Sequence, residues 1–556
     1  MLLAAICCAL CAIGVTQITS TLSAINRVGE LQYGEAIIYG QASRVLNGEP
    51  LYQPLDRAPF TVVAYTPVYY WVVAWLRVPF GPGFAPGRAF AMVAGLVAVA
   101  LVGLLAARYA RSRTAGAFAT LLFLALGLPW VYPDPAAFYD GDAIRTGWAN
   151  LVANPSPSMP WLGYYKEDVL GVAFALAAIA ILSRGTSTPA LVGAGLLAAL
   201  AILTKQTLIA ALVAGAFWLW RQDRSRAPWF AGAAFGVTGG VCLALEITTG
   251  AFFQNAVGAN VNPMRLDVLA STVAMLVRFQ WGPLLIATAY ALYKLRQPDD
   301  GMRLPIYYWL ACIPALSGLA KAGSNHNHWT EFAAATAVLA AVALWDVRRP
   351  WKTAGLDTEQ MILTDQRRQS GRAMVMWNTQ AGRLVQSSKV PATAALLLLG
   401  ATTAGVLPLL GGMDRLIPSW PGANRAEAAE QRALIERVRN TQGAVLSSPL
   451  ELLALADQPI LLEPYVFNHL YVMGRWDPAP VVRRVCAGDV GLLIFYNPVE
   501  QGSGVYHGYG FWPLPVLRAL QETMVLQERR GGLYLYVPHA PEDRREASAA
   551  RSVCAD

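Results

Sequence analysis

The sequence predicts an α-helical polytopic membrane protein with about eleven transmembrane helices, ending in a soluble C-terminal α/β domain of roughly 140 residues. Three observations predict it. Of 556 residues, 55% are hydrophobic and only 14% are charged, which is far more apolar than a water-soluble chain of this length. Apolar runs long enough to cross a bilayer of ~30 Å recur from the first residues to position 410. The Lys and Arg residues leave a net charge of +8, yet they sit in short clusters between apolar runs. Cytoplasmic loops of membrane proteins look like this, so the charge argues against a nucleic-acid partner and for a lipid bilayer.

The first run, residues 2–24, has no Lys or Arg before it and no small-residue cleavage site leading into a soluble domain, so it is read as a span rather than a signal peptide. The stretch 62–80 is broken by Pro67, Arg77 and Pro79 and is rich in Tyr and Trp, which suits an interfacial helix and not a span. The further spans are 88–107, 114–132, 168–182, 189–204, 207–220, 229–249, 272–293, 304–319, 332–345 and 391–410. Basic residues follow every second span: Arg108, Arg111 and Arg113, then Arg184, then Arg221, Arg224 and Arg226, then Lys294, Arg296 and Arg303, then the long basic loop 346–390. The positive-inside rule makes that side the cytoplasm, with the N-terminus inside and the tail 411–556 outside. A module of residues 1–345 then presents external loops 25–88, 133–167, 250–271 and 321–331, with a short Lys205-Gln206 turn on the same side.

Acids, amides and histidines collect on this external side at helix ends, where an ionisable group is costly unless it lines a cavity or meets water. One external cavity explains them. Glu35 follows the first span, in Gly34-Glu35-Ala36-Ile37-Ile38-Tyr39-Gly40-Gln41-Ala42, and leads through Asn47-Gly48-Glu49-Pro50 to the aromatic helix Tyr69-Tyr70-Trp71. Tyr164-Tyr165-Lys166-Glu167-Asp168 stands at the external start of a span, Lys205 at an external helix end, and Asn325-His326-Asn327-His328-Trp329-Thr330-Glu331 in a later loop.

In order and sidedness these elements resemble the GT-C glycosyltransferases, among them the protein O-mannosyltransferases and the aminoarabinose transferases acting on lipid A. The resemblance covers residues 1–345 in organisation; no single motif is diagnostic. It implies transfer of a sugar from a polyprenyl-phosphate donor to a glycan, lipid or protein acceptor on the external face of a plasma membrane. By the same resemblance Glu35 is the catalytic base and Asp168 binds the acceptor or a metal. Such a transfer needs a base at the acceptor and positive charge at the leaving phosphate. Lys205 or Lys166 supplies the charge, with Glu167, Asn325, His326, His328 and Glu331 as further substrate-binding residues.

Each residue also has a plainer reading. Glu35 suits a solvated loop or a helix start, Asp168 an N-cap and Lys205 a snorkelling side chain. His328 and Glu331, three apart, share a helix face, but zinc needs three or four convergent ligands. Asp140 and Asp142, in Asp-Gly-Asp, can hold a divalent cation as in the oligosaccharyltransferases or form an ordinary turn. The metal question stays open. Asn255, Asn260 and Asn262 are further candidates to line the cavity.

The tail shows a helical charge pattern over 426–440 and strand-like runs at 444–446, 459–462, 490–495 and 533–537. Tyr465, Phe467, Trp476, Tyr506, Tyr509 and Trp512 can stack on sugars or fill a core. With no phosphate loop or nucleophile motif, the tail is assigned acceptor recognition or scaffolding. Cys486 and Cys554 are the one pair of cysteines outside the membrane that a disulfide can join. The alternative from another class is a transporter or lipid-glycan flippase, which would place ionisable groups deep in its helices or repeat one half in the other. Neither feature is evident.

Overall fold

The computed structural model describes residues 2–127, 130–132, 156–158, 161–260, 262–299, 301–321, 326–347, 425–501, 505–506, 509–539 and 553–554. The expected span at 391–410, the basic loop 346–390 and the Asp140/Asp142 pair lie outside these residues. Within them the chain is mostly helical, with a small C-terminal sheet domain.

Helices form where the apolar runs predicted them. Ala4–Ala24, Ala85–Tyr109 and Ala227–Thr249 are long and apolar enough to cross a membrane on length and composition alone. Asp168–Arg184, Thr188–Thr204, Ala210–Gln222 and Thr330–Asp346 are shorter. The run expected at 272–293 is part of one 30-residue helix, Leu266–Leu295. Two expected helices end early. Arg113–Leu122 passes into a wide turn at Phe123–Gly127, and Trp130–Tyr132 is instead a strand paired with Ser156–Ser158. Arg303–Cys312 tightens into a 3-10 segment, Ile313–Ala320, where Pro314 lacks the N–H that an α-helix would use. The aromatic stretch makes a 13-residue helix, Val68–Phe80. Tyr69, Tyr70, Val73 and Ala74 are buried, while Trp75, Val78 and Phe80 are exposed.

The Thr330–Asp346 helix is the centre of the bundle. Every residue from Thr330 to Leu344 is buried, as expected of a helix that is apolar all round. Its many alanines let neighbouring helices approach closely. Ala227–Thr249 is peripheral: only Ala227, Phe230 and Ala234 are buried, and Phe235, Leu243 and Ile247 stand exposed. Such an apolar outward face is what a lipid-facing helix presents. Basic loop residues meet at one end of the bundle. Arg108 donates to the Ser183 carbonyl (2.9 Å), Arg226 to the Thr186 carbonyl (3.0 Å), Gln222 to Asp299 (2.8 Å), and Lys294 pairs with Asp346 (3.1 Å).

The tail packs helices on a four-stranded sheet of order Ala444–Ser447, Val490–Phe495, Leu533–Pro538, Met524–Arg530. The first pair is parallel and the others antiparallel. Residues 459–462, read as a strand of this sheet, are not in it. Leu462 instead bridges Phe60 of the first loop, with Phe60 N–H donating to Leu461 O and Glu463 N–H to Phe60 O, both at 2.8 Å. The Phe60 ring packs edge-on against Phe467 and Trp476 in the tail's own core. A disulfide joins Cys486 to Cys554.

Candidate active site

Two buried ion clusters and one cavity lie where the first loop, the helix ends and the tail converge. The first cluster is built on Glu35, the first residue of the amphipathic helix Glu35–Leu46. The residue before it, Gly34, has φ +97°, a left-handed conformation that glycine adopts without strain. Glu35 is fully buried and pairs with the equally buried Arg88 at 2.5 Å. Its two oxygens also accept from Leu31 N–H (2.7 Å) and Tyr165 N–H (2.6 Å). Arg88 spends its remaining donors on the carbonyls of Arg27 and Gly29, both at 2.7 Å, and of Ala24 at 3.5 Å. Glu35 and Arg88 thus tie the first loop to the chain entering Lys166. The tie is close because a side chain at Gly87 would lie 2.0 Å from the Tyr165 ring. Glu35 does not line the cavity.

The second cluster is centred on Lys205, 2% exposed at the end of Thr188–Thr204. Its ammonium donates to Asp168 and lies 3.3 Å from Glu167. Asp168 also accepts from Asn327 (2.9 Å). Glu167 Oε2 is buried with no hydrogen-bond partner among the described residues. Burial, and Asp168 beside it, push Glu167 above the usual carboxylate range.

The cavity, about 550 Å³, takes its wall from several elements. Tyr33, Gln41, Tyr65, Lys166 and Glu167 come from the first loop and the helix entry. Lys205, Gln206, Asn260, Lys321, Asn327 and His328 come from later helix ends, and Glu463 and Tyr465 from the tail. Three lysines therefore face the cavity. Lys166 donates to Tyr33 O (3.0 Å) and Lys321 to Asn260. Burial, and then the charge of Lys205, lower Lys321 to about 8. Burial, and then Lys205, hold His328 down at about 3, so it is a neutral ring. Glu463 accepts from Val62 N–H (3.1 Å), and burial raises it to about 7.

Of the residues chosen from sequence, Lys166, Glu167, Lys205 and His328 line this cavity, and Asp168 stands behind Lys205. Glu331 is buried elsewhere, accepting from Tyr308 (3.0 Å). Asn325 and the His326 side chain lie outside the described residues. Asn260 and Asn262 line the cavity, whereas Asn255 pins the first loop through Val63 N–H (3.0 Å). Of the tail aromatics, Tyr465 reaches the cavity, while Phe467, Trp476 and Trp512 are core. Sequence reasoning passed over Gln41, Lys321 and Glu463. Lys321 carried a signal, as the only cation opening its loop; the other two carried none. No group of three or more His, Cys, Asp or Glu placed to hold a metal occurs among the described residues.

No protein-family model matches the chain, and no curated protein matches it. Among solved structures it is similar to ArnT from Cupriavidus metallidurans bound to undecaprenyl phosphate, with a TM-score of 0.56 and 14% identity, over 95% of this chain and 97% of that one. The same protein in the apo state matches with a TM-score of 0.56 and 13% identity, over 94% and 97%. The likeness, spanning both chains almost end to end, shows the fold: the helical bundle with a C-terminal sheet domain is ArnT-like, in line with the fold class expected from the sequence.

Proposed function

We propose that this chain is a membrane glycosyltransferase that moves a sugar from a polyprenyl-phosphate donor to an acceptor at the cavity. The observation that carries the reading is the cavity itself. Three lysines converge on it from separate elements, alongside the carboxyl groups of Glu167, Asp168 and Glu463. Ammonium groups lining a partly dry site suit a leaving phosphate. The fold neighbour's binding of undecaprenyl phosphate supports a lipid-linked ligand here as well.

In this reading Lys205 and Lys321 face the phosphate, and Asp168 positions Lys205. Glu167 takes the acceptor proton, because it lines the cavity and keeps an oxygen that no described residue hydrogen-bonds. The C1–O bond to phosphate breaks as the acceptor oxygen bonds C1, and the polyprenyl phosphate leaves with the electron pair. Glu35, expected to be the base, accepts four hydrogen bonds and stands off the cavity. We assign it the role of holding the first loop and Lys166 in place. The basic loops gathered at one bundle end support a cytoplasmic location for that end. The Cys486–Cys554 disulfide supports an oxidising, extracytoplasmic location for the tail.

The test compares Glu167→Gln with Glu35→Gln in nanodiscs. Glu167→Gln is expected to bind donor normally and lose turnover by about a hundredfold or more. Glu35→Gln is expected to keep turnover within about tenfold. The reverse pattern restores Glu35 as the base.

A further inference from the structure

One part of the cavity wall has a chemistry unlike the lysine-rich part. Gln41, 2% exposed, donates through Nε2 to Val62 O at 2.6 Å. That bond fixes the amide orientation, because only the amino end can face a carbonyl. Its Oε1 is left buried and without a partner among the described residues. Gln206 repeats the pattern: Nε2 donates to Ala64 O (2.8 Å) and Ala256 O (3.0 Å), and Oε1 is buried without a partner among the described residues. On the other edge of Val62 its N–H meets the Glu463 carboxylate, delivered by the tail. Acceptor groups from three distant stretches are thus held around 62–64, all lining the cavity. The Tyr33 and Tyr465 rings, 6.1 Å apart and edge-on, also line it and add apolar faces. Buried acceptors without donors are uncommon in a settled interior and point to a ligand that brings its own.

We infer that Gln41, Gln206 and Glu463 form a sugar subsite, in which carbonyl and carboxylate oxygens take a pyranose or furanose ring's hydroxyl donors beside the tyrosine faces. A sugar satisfies both halves of such a wall, donating through its hydroxyls and laying its C–H face on the rings. The tail is then a wall of the site rather than a separate scaffold. The ring is either that of the donor or that of a glycan acceptor. The assignment to transfer rests on the function proposed above.

The test uses full-length protein in nanodiscs. Saturation-transfer NMR with a panel of free pentoses, hexoses and amino sugars is run on wild type, Gln41→Leu and Glu463→Gln. The glutamine at 463 keeps an oxygen for Val62 N–H, so the tail stays docked. Sugar signal in wild type that falls about tenfold in both variants, at unchanged melting temperature, is the expected result. No wild-type signal, or equal signals in all three, overturns the subsite. Polyprenyl phosphate without sugar is titrated in parallel; if it fails to bind wild type, the proposed function fails while the subsite stands or falls on the sugar panel. Where it binds, loss of affinity for the sugar-bearing lipid alone assigns the subsite to the donor. A rise in acceptor KM alone assigns it to the acceptor.

Discussion

Replacing Arg88 by Met separates the two roles open to Glu35. Both side chains are fully buried, and Arg88 makes two bonds to the carboxylate and three to backbone carbonyls. Removing the guanidinium strands a buried carboxylate that keeps only the N–H groups of Leu31 and Tyr165. Breaking one half of such a pair costs about 3–5 kcal/mol. Adding Glu35→Gln to Arg88→Met removes the stranded charge, and about 1–3 kcal/mol of the loss should return. The assay is reversible unfolding in mixed micelles across wild type, both single variants and the double variant, with donor turnover measured on the same samples. Wild-type stability in Arg88→Met, or a double variant no better than it, refutes the structural role. So does a Glu35→Gln protein that is fully stable and binds donor yet does not turn over.

Three further outcomes follow from the site and the tail. Lys321, lowered to about 8, loses its proton in the empty cavity as pH rises through that value, while a bound phosphate favours the ammonium. Donor Kd should therefore climb above pH 8 in wild type and stay flat, about tenfold weaker, in Lys321→Met. Glu463 is raised from 4.5 to about 7, so its contribution to tail docking is fully present below pH 4.5 and is lost as pH rises through 7. Hydrogen exchange at Phe60, Val62 and Glu463, corrected for intrinsic rate, should accelerate across pH 7 in wild type and not in Glu463→Gln. Reducing the Cys486–Cys554 disulfide, which closes a separation of 68 residues, should lower the tail's stability by at most about 4 kcal/mol in a calorimetric scan.

The helices were legible because a span is a local property: an apolar run of sufficient length announces itself wherever it packs. Ends were less so. The 3-10 segment from Ile313 and the strand at Trp130–Tyr132 depend on proline and on a distant partner strand, which hydropathy does not register. Met524–Arg530 was missed as a strand because it lies at the sheet's edge with mostly polar, exposed residues and no alternating pattern. Residues 459–462 had a strand's composition, but their partner is Phe60. The site divides in the same way. Glu167, Asp168 and Lys205 stood out as ionisable groups at helix ends. Glu35 stood out too, but Arg88, which occupies it, lies 53 positions downstream. Val62 and Glu463 are 401 positions apart, and no local pattern links them.

The most direct test of transfer from a lipid-linked donor is single-turnover sugar release by wild-type protein in nanodiscs. It is offered a panel of radiolabelled polyprenyl-phosphate sugars beside the matching nucleotide sugars, with and without membrane extract as acceptor. Release from at least one lipid-linked sugar and from no nucleotide sugar is the predicted result. Release from nucleotide sugars, or from no donor at all while the lipid itself is moved across the bilayer, contradicts it and favours the flippase.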